Sequence, residues 1–186
     1  MKFHALVLIT GLFFTKLFAS ETPLVIDARR SHIEAMVTAP METFTVKLTA
    51  YDALISVDPQ EKRIGSAVVK FRFADLKTGD EKRDAAMRVW QQTDQFPECV
   101  FLLDALQPAV GGTFKACGKF ILHGVTQPFT IPVAIAFTSA ETCVIDGDLS
   151  LDTTAFGLPP IRQHLILKVN PTLQITFHLE GKISAL

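Results

Sequence analysis

Polar aromatics and cysteines are scarce in this 186-residue sequence, which has one Tyr, one Trp and three Cys against fifteen Phe. An odd number of cysteines leaves at least one thiol unpaired in any scheme. Neither charge is in excess, with 18 Lys and Arg against 19 Asp and Glu. The basic patch that would neutralise phosphates is therefore missing, which argues against a nucleic-acid binder. Catalytic signatures are missing too. There is no Gly-x-Ser-x-Gly elbow for an activated serine and no His-Glu-x-x-His or paired-Cys spacing for a metal. Gly111-Gly112 is an isolated turn pair and not a phosphate cradle. Apart from the N-terminus, no apolar run approaches the length needed to span a bilayer.

That N-terminus has a short basic start with Lys2, an apolar stretch from Ala5 to Phe14 broken only by Thr10 and Gly11, and the small residue Ala19. This is the pattern of a cleavable secretion signal, and cleavage is expected after Ala19. Residues 20–186 then form one domain. Losing Lys2 and Lys16 leaves 16 basic against 19 acidic groups, a net charge of −3. The domain is expected to work in an oxidising compartment. Four phenylalanines, Phe3, Phe13, Phe14 and Phe18, leave with the signal.

The remaining phenylalanines recur in segments that alternate apolar and polar residues, the mark of strands with one buried face. Phe44, Val46 and Leu48 oppose Thr45, Lys47 and Thr49. Ala67, Val69, Phe71 and Phe73 share one face, as do Phe114, Ala116, Gly118, Phe120 and Leu122. Phe129 to Phe137 and Leu173 to Leu179 repeat the pattern. With weaker segments near 31–38, 98–106, 143–152 and 161–170, eight strands are expected, the last running to 180 with an interruption at Pro171. Short linkers at 107–112 and 123–127 predict antiparallel hairpins. Pro132, which cannot donate to a ladder, predicts a bulge or a locally open edge. Residues 81–92 have helix-forming composition and place Arg83, Met87 and Trp90 on one side. The fold class is therefore all-β with one short helix. Periodicity alone leaves a two-sheet sandwich and a closed barrel equally open.

His32, His123, His164 and His178 are isolated in sequence and read as surface or turn residues, and Asp146 and Asp148 as one solvated strand face. Cys99 and Cys117 are symmetric about the 106–112 turn, so an ungapped hairpin sets them opposite each other as a possible disulfide. A one-residue register slip puts them on opposite faces instead, with Cys99 packed inward.

Six segments in order carry a resemblance. They are Ser31-His32-Ile33; Asp58-Pro59; Arg83-Asp84 with Met87 and Trp90; Phe96-Pro97 leading to Phe101; Gly118 through Leu122-His123-Gly124-Val125-Thr126; and Asp152-Thr153 with Phe156-Gly157-Leu158. Together they resemble the YceI-like family. The resemblance implies an eight-stranded antiparallel lipocalin-like β-barrel in the periplasm, enclosing an apolar tunnel for polyisoprenoids, quinones or other long amphiphiles. It thus favours barrel over sandwich. The chain departs from the family pattern at Met41-Glu42-Thr43-Phe44-Thr45-Val46 and at Thr93-Asp94-Gln95-Phe96-Pro97.

On this reading the lumen is expected to be lined by Phe44, Val46, Val69, Phe71, Phe73, Phe120, Phe137, Leu149, Leu151 and Phe177, with Met87 and Trp90 as a lid. Arg83 and His123 are candidates to meet a polar head group, against surface and turn roles. The expected partner is a long-chain isoprenoid or acyl lipid, with transient membrane contact, a homodimer as one possible assembly, and no cofactor, metal or nucleic acid. Two rivals are a barrel filled by its own side chains that acts through its outer surface, and an enzyme acting on a lipid or quinone.

Overall fold

The structure is a computed structural model that describes residues 21–40, 42–163 and 167–184. The expected secretion signal and His164 lie outside the described residues. Thirteen strand segments and one helix follow in order: β1 (Thr22–Ile26), β2 (His32–Thr38), β3 (Thr43–Leu48), β4 (Asp52–Asp58), β5 (Arg63–Arg72), β6 (Leu76–Lys77), α1 (Glu81–Gln91), β7 (Glu98–Pro108), β8 (Phe114–Leu122), β9 (Val125–Phe137), β10 (Thr142–Asp152), β11 (Arg162–Gln163), β12 (Leu167–Lys168) and β13 (Thr172–Ile183).

These segments build a closed antiparallel barrel of eight wall strands. β1 and β2 act as one bent strand, because both pair with β13, Leu24 beside Ile183 and Ile33 beside Phe177. β3 and β4 form the next, pairing with β2 and β1 respectively. The wall then runs through β5, β7, β8, β9, β10 and β13, and the β1–β13 pairing closes it. Closure removes the free sheet edges that an open sandwich would have to protect. β11 and β12 form a separate small hairpin, so residues 161–170 are not the first half of the last strand, as the alternation had suggested.

Tight turns connect the wall where the sequence carries the residues for them. His123 (φ 51°) and Gly124 (φ 72°) join β8 to β9 with the two positive φ values that a two-residue hairpin turn requires. Asp58 closes the β4–β5 turn by accepting from the backbone N–H groups of Gln60 and Glu61. In α1, Asp80 caps the first turn by accepting from Lys82 and Arg83 N–H.

The β7–β8 register separates Cys99 from Cys117. The loop lies at Ala109–Thr113 and not around residue 108, and a bulge falls between Leu103 and Ala105. Val100 pairs with Ile121, whereas Cys117 stands opposite Ala105. All three cysteines are free, Cys99 and Cys143 buried and Cys117 partly exposed, so the symmetric Cys99–Cys117 disulfide is not formed.

The ring of ladders is uneven. β10 pairs with β13 from Thr142–Lys182 through to Asp152–Thr172. β9 and β10 pair over only five residues, Val133–Phe137 with Cys143–Gly147, and part just before Pro132, the open edge that its missing donor suggested. β5 and β7 likewise pair over five residues, Val68–Arg72 with Glu98–Leu102. Beyond those ladders the two strands of each pair are not hydrogen-bonded to each other. The wall therefore has two breaks, one at each end of the barrel.

Candidate functional site

Inward-facing residues of all wall strands surround one cavity of about 260 Å³. Along β13 the lining runs from Leu173 to Leu179, a span of about 20 Å at ~3.3 Å per residue. Among the described residues its polar lining residues are Glu34, Thr153 and Asn170, each with a partner. Glu34 pairs with Lys47 at 3.4 Å, the Thr153 hydroxyl donates to the Pro171 carbonyl at 3.1 Å, and the Asn170 side-chain oxygen accepts from Thr172 N–H at 3.0 Å. An apolar chain placed against this lining gives up contact with water, worth about 0.8 kcal/mol per buried methylene.

Phe44, Val46, Val69, Phe71, Phe73, Phe120, Leu149, Leu151 and Phe177 line this cavity, together with Met87 and Trp90 of α1. Phe73 does so from a 3-10 turn (Phe73–Asp75) after β5 has ended, not from the strand itself. Phe137 does not line the cavity. It packs against the core cluster around Ile145 and Leu179, beside the β9–β10 turn. Phe101 and Phe129, absent from the expected set, do line it. Phe129 shares the alternation of Ile131 and Val133, and Phe101 that of Cys99 and Leu103, so period two was the signal that would have found both.

The two head-group candidates are committed elsewhere. The Arg83 guanidinium lies 3.9 Å over the Phe44 ring and pairs with Glu42 at 3.1 Å, tying α1 to the β2–β3 hairpin. His123 donates from Nδ1 to the Phe156 carbonyl at 3.2 Å, a carbonyl being able only to accept, and its ring meets Phe96 edge-on at 4.4 Å. Neither side chain lines the cavity.

The cysteines nearest the lumen are not activated. Burial pushes the Cys99 thiol on the cavity wall up to about 12 and the Cys143 thiol up to about 11, so both are neutral thiols near pH 7. On the outer wall His178 meets Asp146 at 2.6 Å and stacks on His32 at 5.7 Å. Among the described residues no three His, Cys, Asp or Glu side chains are grouped to hold a metal ion.

A closed antiparallel barrel around an apolar lumen, with one helix over its end, defines a lipocalin-like β-barrel. A family model described as the YceI-like domain matches residues 24–181, and the chain belongs to that family. Among solved structures it is similar to Burkholderia cenocepacia BcnA, with 24% identity and a TM-score of 0.74 over 84% of this chain and 99% of that one. A polyisoprenoid binding domain from Saccharophagus degradans, implicated in plant cell wall breakdown, gives 15% identity and a TM-score of 0.71 over 88% and 99%. The Campylobacter jejuni YceI protein gives 14% and 0.65 over 75% and 85%. At these identities the likeness concerns the fold. No curated protein matches in sequence.

Proposed function

We propose that this protein is an exported, periplasmic binding protein or carrier for a long amphiphilic lipid, a polyisoprenoid, isoprenoid quinone or fatty acyl derivative, whose apolar tail occupies the barrel lumen. The observation that carries the reading is the 260 Å³ cavity, whose lining among the described residues is apolar apart from Glu34, Thr153 and Asn170. A barrel packed solid by its own side chains would have no such space. The polyisoprenoid-binding domain of similar fold supports the same ligand class, and the basic, apolar, small-residue pattern of residues 1–19 supports export.

The lumen is suited to exchange more than to capture. A long lipid resides in a membrane, so moving its tail into the barrel swaps one apolar phase for another. The hydrophobic gain measured against water largely cancels. A transfer free energy near zero with respect to the bilayer is what a reversible carrier requires. It also needs transient contact with the membrane, and the neutral buried thiols Cys99 and Cys143 are in keeping with a site that holds its ligand unchanged.

The test is native mass spectrometry of protein purified gently from its own periplasm, followed by organic extraction of the sample. A bound apolar species of several hundred daltons is expected. Spectra that stay empty, together with no binding of added prenyl or acyl lipids, would overturn the reading in favour of a protein acting through its outer surface.

A further inference from the structure

At the end of the barrel away from α1, the wall break between β5 and β7 is bordered by Ile64 and Ala67 on one bank and Leu103 and Leu106 on the other. All four line the cavity. The ladder ends there at Val68–Leu102, whereas near the β9–β10 break Phe156 is buried in one cluster with Leu122 and Leu151 and stands edge-on to Phe120. The bulge between Leu103 and Ala105 shifts the phase of β7 so that Leu106 also points inward, which carries the apolar lining out towards the hairpin tip.

That tip is unusual for a soluble surface. From Gln107 to Phe114 it carries no charge, and Val110 at its apex is 95% exposed. The loop is held rather than loose: Ala109 N–H donates to the Thr113 carbonyl at 2.9 Å, and the Thr113 hydroxyl to the Val110 carbonyl at 2.9 Å. Gly111 and Gly112 take positive φ, 74° and 77°, with no atom near their missing Cβ positions, so the backbone turns sharply and leaves Val110 outermost. Lys115 is exposed just behind it, where it would meet lipid head groups.

The α1 end is the competing candidate. Val89 is 79% exposed there, but it sits beside Arg88 on a helix that is pinned by the Arg83–Glu42 pair and by Trp90 Nε1 donating to the Pro159 carbonyl at 2.7 Å. That end is latched by side-chain contacts, whereas the β5–β7 ladder simply ends at Val68–Leu102.

We propose that the β7–β8 hairpin tip is a membrane-docking element: Val110 and its uncharged loop dip into a bilayer surface and set the β5–β7 break against it, where an apolar tail passes between bilayer and lumen. This rests on the lipid-carrier reading above, and the experiment separates the two. A fluorescent polyprenol is supplied either from dilute detergent, to read equilibrium binding, or in phosphatidylethanolamine–phosphatidylglycerol vesicles, to read the rate of transfer. Val110→Asp is expected to slow transfer from vesicles about tenfold, the factor set by ~1.4 kcal/mol, close to the burial of one valine side chain. Its equilibrium binding from detergent and its circular dichroism stay unchanged. Val110→Trp is expected to speed transfer, since an indole favours the interface, and Val89→Asp to leave it unaltered. Wild-type transfer rates in Val110→Asp, or slowing by Val89→Asp in its place, overturn docking by this tip and leave the lumen reading intact. Failure of the wild type to bind the polyprenol from detergent overturns the carrier reading itself.

Discussion

Gly147 shows how a single missing side chain shapes the lumen. It pairs across the ladder with Phe177, and a Cβ there would stand 2.4 Å from the ring's Cζ and 3.0 Å from the Pro132 carbonyl. The ring therefore lies where a side chain would otherwise be, folded back against the wall. Gly147→Ala is expected to drive Phe177 into the cavity, with an overpacking cost of about 1–3 kcal/mol and weaker lipid binding. Thermal unfolding and a lipid titration check both, and a variant with wild-type stability and affinity would contradict this placement of the ring. The inward side chains were legible in the sequence because alternation fixes which face a residue takes. The position of Phe137 was not. It obeys the same alternation, but the cavity stops at Ile135 and Ile145, and where a cavity ends along a strand is a property of packing that period two does not record. Arg83 and His123 misled for a related reason: sequence places them near the barrel end but not the partners, Glu42 with Phe44 and the Phe156 carbonyl, that occupy them.

Among the elements, α1 was readable from composition and spacing, while β1 and β4 were not. Their outward positions carry Pro23, Val25 and Leu54, the last two exposed at 58% and 71%, so the alternation that marks a half-buried strand is blurred. The entry into α1 is held by Asp84, which is buried and accepts from Thr78 N–H at 2.8 Å and the Thr78 hydroxyl at 2.7 Å. Burial alone would raise its pKa, but these bonds and the charges of Lys77 and Arg88 hold it below the ordinary carboxylate value. A depressed folded pKa means stability that is present above the unfolded value, near ~3.9, and lost as pH falls through the folded one. Asp84→Asn is accordingly expected to cost about 1 kcal/mol at pH 7 and to flatten the loss of stability below pH ~4. Denaturant titrations at several pH values read both effects, and an unchanged acid limb would mean that Asp84 does not hold the helix.

At the scale of the whole molecule, the two five-residue ladders divide the barrel into a β7–β8–β9 meander and a larger sheet running from β10 through β13, β1–β2 and β3–β4 to β5. Which strands pair, and over how many residues, is a matter of register. Periodicity is silent on register, which is why closure and the two breaks were beyond a reading of faces alone, and only Pro132 hinted at one of them. The division has a mechanical consequence. Separating the meander at either break disrupts few backbone hydrogen bonds, while parting β10 from β13 disrupts a ladder eleven residues long, so local opening is expected to concentrate at the breaks. Hydrogen exchange on the empty protein should find the amides of residues 63–67 and 103–107 that face the break exchanging well before those of the β10–β13 ladder. A lipid tail filling the lumen contacts Ile64, Ala67, Leu103 and Leu106 from inside and should slow exchange at this break more than in β10–β13, because a ligand protects most where it stabilises the state that opens most easily. Uniform protection on loading would place the flexibility elsewhere and remove the reason for the barrel to be joined so unevenly.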